Sequence, residues 1–67
     1  MDTYQVSIIG TNIRERVAAR DHRNAGRQVV NKHKAKGPGR VTVDGRGGWK
    51  SFTLGRNGSL RYVCSYV

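Results

Sequence analysis

The first apolar pattern in the chain is an alternation. In TYQVSII, residues 3–9, Tyr4, Val6 and Ile8 share one side, and Ile9 joins the other. A period of two marks a half-buried strand, so residues 3–9 are predicted to form one, ended by Gly10. The spacing then changes. Asn12 stands three residues before Glu15, the spacing of a capping box, with Thr11 as the competing cap. A helix is therefore expected from Ile13. Its end is open: Asn24 and Gly26 offer a break, since glycine costs about 1 kcal/mol against alanine inside a helix. Otherwise the helix continues to Lys34.

KAKGPGR cannot continue it, because Pro38 restrains Gly37 and two glycines flank the proline, so residues 35–40 read as a loop. From Arg40 the alternation returns. RVTVD, WKSFTL and LRYVCSYV, separated by the glycine-rich GRGG and by Asn57-Gly58, predict a three-stranded antiparallel meander over residues 40–67. The expectation is a single small α+β domain in the order β-α-β-β-β, with one basic helix on a three- to four-stranded antiparallel sheet.

A two-residue type I′ loop at Asn57-Gly58 would set Phe52 opposite Val63, Leu54 opposite Arg61, Thr53 opposite Tyr62, Ser51 opposite Cys64 and Trp49 opposite Tyr66. One face then carries Phe52, Leu54, Val63 and Val67, and the other Trp49, Tyr62 and Tyr66. In so short a chain the large aromatics are expected in the core, which puts the helix on the Trp49 side and Phe52 nearer solvent. The alternative leaves Trp49, Tyr62 and Tyr66 as a platform on which bases stack.

Length limits how much of this can be stable alone. A chain of 67 residues buries only about 60% of the surface it exposes when unfolded. With 36% hydrophobic residues it is nonetheless patterned for folding. A single cysteine, Cys64, excludes an internal disulfide. The N-terminal MDTYQVSIIG has an acid where a secretory signal has bases, and no apolar run reaches membrane-spanning length, so an intracellular protein is expected.

Charge changes the picture most. Nine Arg and four Lys stand against one Glu and three Asp, a net +9. Such a chain is attracted to polyanions. At 100° per residue, Arg16, Arg20, Arg23, Arg27 and Lys34 of a continuous helix fall within an arc of about 60°, with Ala18, Ala25 and Val29 opposite. Arg14 lies off that ridge. The pairs Arg16–Arg20 and Arg23–Arg27 each oppose folding by roughly 0.2–0.5 kcal/mol, which suits a surface kept for an anion. Guanidinium groups hold phosphate bidentately. Lys32, Lys34, Lys36 and Arg40 extend the ridge as an arm, and Arg46 sits in a second basic loop.

The acids are not paired for acid–base work, and His22, His33 and Cys64 match no zinc spacing. No catalysis, cofactor or metal is expected. The expected function is non-enzymatic binding of nucleic acid, DNA or RNA, through Arg16, Arg20, Arg23, Arg27, Lys32, Lys34, Lys36, Arg40 and Arg46, with Trp49, Tyr62 and Tyr66 for stacking. The alternative is a small regulatory or inhibitory protein of phage or plasmid type. Its bases would dock on an acidic surface of a larger protein, such as an enzyme that handles nucleic acid. A membrane surface is disfavoured, because no broad apolar face lies opposite the ridge.

Overall fold

A computed structural model describes residues 1–66; the side chain of Tyr66 and all of Val67 lie outside the described residues. Six elements follow one another: β1 (Asp2–Ile9), β2 (Arg14–Ala19), α1 (His22–His33), β3 (Gly39–Gly45), β4 (Gly48–Leu54) and β5 (Leu60–Tyr66). The strands form one antiparallel sheet in the order β2-β1-β3-β4-β5. The α+β class holds. The order is β-β-α-β-β-β, and the sheet has five strands rather than three or four.

The extra strand comes from the first half of the expected helix. Ile13–Lys34 is not one helix, because residues 14–19 pair with β1 from Asp2↔Ala19 to Ser7↔Arg14. RERVAA alternates: Glu15, Val17 and Ala19 turn toward α1, while Arg14, Arg16 and Ala18 are exposed. Thr11 and Asn12 belong to the turn before β2. Gly10 has φ +88°, the Thr11 hydroxyl donates to the Ile8 carbonyl at 2.7 Å and accepts from the Ile13 N–H at 3.0 Å, and the Ile8 N–H reaches the Ile13 carbonyl. The true helix cap is Asp21, whose carboxylate accepts from the Asn24 N–H at 2.7 Å.

The helix buries His22, Ala25, Gly26, Val29 and Val30, the i, i+3, i+4, i+7, i+8 stripe of an amphipathic helix. Gly26 therefore lies on the packed side and does not break the helix. A Cβ there would stand 2.9 Å from Leu60 Cδ1 and 3.4 Å from Val43 Cγ2, so the absent side chain lets helix and sheet approach. The helix ends at Lys34 in the left-handed region (φ 52°), with the Ala35 N–H closing onto the Val30 carbonyl at 2.9 Å. The expected loop 35–40 yields its last two residues to β3.

Under the helix, Tyr4, Val6 and Ile8 of β1, Val41 and Val43 of β3, Phe52 and Leu54 of β4 and Leu60 of β5 complete the core. This corrects the expected packing side: Phe52 is 2% exposed, whereas Trp49 is 39% exposed on the opposite face.

The β4–β5 hairpin is also corrected. The Gly58 N–H bonds the Gly55 carbonyl at 3.0 Å, the Gly55 N–H bonds Ser59 O at 2.8 Å, and positive φ falls on Gly58 (+85°) and not on Asn57. Type I′ needs positive φ at both central residues, so this is a three-residue loop, Arg56–Gly58, with glycine in the left-handed position. Pairing leaves it as Leu54↔Leu60, Thr53↔Arg61 and Phe52↔Tyr62, one residue off the expected register. A bulge between Ser51 and Phe52 absorbs the slip, leaving Val63 unpaired; Ser51↔Cys64 and Trp49↔Tyr66 then pair as expected. Tyr62 thus joins Phe52's face, their rings edge to face at 6.0 Å, instead of Trp49's.

Candidate nucleic-acid interface

α1 covers one face of the sheet, and the other face is open. Pleating sends alternate residues of all five strands to that side, and the register aligns them in rows. One row runs Ile9, Arg40, Thr53, Arg61. The middle row runs Arg14, Ser7, Thr42, Ser51, Cys64. The third runs Arg16, Gln5, Asp44, Trp49. The middle row crosses all five strands, about 19 Å. Apart from Arg14 its side chains are small, so it forms a low floor between two taller rows. Ser51, the row's residue on β4, is 2% exposed, and its hydroxyl has no hydrogen-bond partner among the described residues.

Arg14, Arg16, Arg40 and Arg61 are exposed on this face, against one carboxylate, Asp44. The other acids are engaged elsewhere. Asp2 lies 3.7 Å from Arg46, Asp21 caps the helix, and Glu15 sits on the helix side of β2. There Glu15 accepts from Lys32 at 2.7 Å and contacts His33 Nε2. The Lys32 ammonium first, and the His33 contact second, hold the Glu15 carboxyl below its ordinary value. At the end of this face near the β3–β4 turn, Thr3, Tyr4, Gln5, Arg16, Asp44 and Gly45 line a shallow polar cavity of about 370 Å³.

The helix side presents charge of a different kind. Arg23 donates to the Leu60 carbonyl at 3.1 Å and lies over the Phe52 ring at 5.7 Å, so it is tied to the fold. Lys50 lies 5.9 Å over the Tyr62 ring. His22 is buried, edge to face with Tyr4 at 4.7 Å, and its Nε2 donates to the Gly48 carbonyl at 2.9 Å.

The expected arginine ridge therefore does not exist as one surface. Arg16 is on β2 and faces the open side. Arg20 is in the turn before α1. Arg23 and Arg27 are on the helix, Lys32 is paired with Glu15, Lys34 caps the helix and Lys36 follows it. Strand pairing of residues 14–19 scatters the cationic tips that a continuous helix would have aligned. Arg40 and Trp49 do share a face with Arg16, whereas Arg46 is in the β3–β4 turn and Tyr62 is across the sheet. The Tyr66 side chain, proposed for stacking, lies outside the described residues. Arg14, Arg61, Gln5 and Asp44 were not expected at a site. The misfit of Arg14 on the helical wheel was the available signal for the first of them.

No protein family, characterised protein or solved structure matches the chain. Among the described residues, no helix is long and apolar enough to cross a membrane, and no three His, Cys, Asp or Glu gather as a metal site.

Proposed function

We propose that this protein is a non-enzymatic binder of single-stranded nucleic acid, and that the strand lies on the open face of the sheet. One observation carries the reading: four exposed arginines and a part-exposed Trp49 frame a floor of small side chains on a face the helix does not cover. Arginine supplies bidentate phosphate contacts. An aromatic ring on an open sheet supplies a stacking surface, worth about 1–3 kcal/mol per base. A flat face with one aromatic reaches bases only where they are unpaired, which favours single strands over a duplex.

The test is a polarisation titration with labelled 12-nucleotide single strands and the matching duplexes, in DNA and RNA, at several salt concentrations. Four phosphate contacts on a single strand predict a slope of log affinity against log salt near −2.8. Tighter binding to the duplexes, or affinity indifferent to salt, overturns the reading. Failure of every oligonucleotide to bind, with one stoichiometric protein partner recovered, favours docking on an acidic protein surface instead.

A further inference from the structure

We infer that the cavity formed by Gln5, Arg16 and Asp44 selects guanine within the bound strand. The inference rests on the open-face reading and adds a base preference to it. Arg16 and Asp44 are the outer members of the row Arg16–Gln5–Asp44, so their backbones stand two strand spacings apart, about 10 Å. Both side chains line the same cavity, with Gln5 between them. A guanidinium offers two parallel donors and a carboxylate two acceptors. Guanine is the base that answers both, and where one is seated Arg16 turns from phosphate to the base edge. Its O6 and N7 accept together on one edge, and its N1–H and N2–H₂ donate together on the next. Adenine and cytosine place an acceptor beside their amino group, and uracil has one N–H between two carbonyls; each would leave the Asp44 carboxylate half-satisfied.

A carboxylate on a phosphate-binding face is otherwise unfavourable, since it repels the backbone that the four arginines attract. Asp44 pairs in register with Trp49, so a base seated across Gln5 has the indole as its neighbour on β4. Asp44 is exposed, and the core is on the opposite side of β3, so its substitution leaves the packed residues in place.

The experiment compares four 12-nucleotide RNAs, oligouridine and oligouridine carrying one central G, A or C, against the wild type and Asp44→Asn, with guanosine monophosphate as a competitor. The wild type should bind the G-containing strand at least about fivefold more tightly than the other three. In Asp44→Asn that preference should fall well below the wild-type value, to what the Arg16 contact alone sustains, while affinity for plain oligouridine rises because a negative charge is gone. A merely structural role for Asp44 would lower all four affinities together. Equal wild-type binding of the four strands overturns the guanine inference and leaves the open-face reading standing. Absence of binding to all four overturns both. Competition by guanosine monophosphate at the affinity of the G-containing strand supports the guanine cavity but overturns strand binding as its source.

Discussion

Glu15 ties the outer strand to the helix through Lys32 and His33, and it is the residue through which acid should be felt. Its folded pKa is lowered from an ordinary 4.5, so its contribution to stability is present above that value and is lost as pH falls through the lower folded value. Thermal unfolding followed at pH 6 and pH 3.5 should show the wild type losing more stability than Glu15→Gln over that interval. Equal losses would contradict the assignment. Gly26 is the residue on which helix–sheet contact turns. In Gly26→Val the new methyls meet Leu60 and Val43, an overpacking that costs about 1–3 kcal/mol. In a domain of this size, where a core rarely supplies more than roughly 3–5 kcal/mol, that should move the urea midpoint markedly. An unchanged midpoint would mean that the helix does not sit this close to the sheet.

At the scale of elements, β1 and the C-terminal meander were legible because apolar alternation is strong in TYQVSII, RVTVD and WKSFTL. β2 was not. RERVAA is built from helix formers with a single β-branched residue. As an edge strand it needs only Val17 and Ala19 as inward apolar contacts, too little to declare a period of two. Asn12 and Glu15 imitate a capping box, while the operative cap, Asp21 with Asn24, lay within the segment already read as helix. Substitution separates the two: Asp21→Ala should cost about 1 kcal/mol, whereas Asn12→Ala should show no loss of a helix cap. If Asn12→Ala were the costlier change, the β2 assignment would be wrong. The β5 bulge is written in no residue type, which is why the register was legible at Trp49 and Ser51 and one residue off at Phe52 and Leu54. The candidate site was legible to the same extent. Arg16, Arg40 and Trp49 were named from composition and pattern, but Arg14, Arg61, Gln5 and Asp44 acquire a role only once strand and register are known.

For the molecule as a whole, the positive charge is spread over both faces, and attraction to a polyanion does not by itself choose between them. The choice rests on arrangement. On the helix side Arg23 and Lys32 have partners within the chain, and Arg27, Lys34, Lys36 and Arg56 are exposed around the helix and the β4–β5 loop. On the open side four arginines border one floor. The most direct measurement is therefore a charge-matched comparison by polarisation titration with one single-stranded 12-mer at fixed salt. One variant carries Gln at Arg14, Arg16, Arg40 and Arg61, the other Gln at Arg27, Lys34, Lys36 and Arg56, so that each loses four positive charges. The open-face account predicts that the first variant loses most of its affinity and that its salt slope falls from near −2.8 toward zero, while the second keeps most of both. Equal losses in the two variants, or the larger loss in the second, would contradict it.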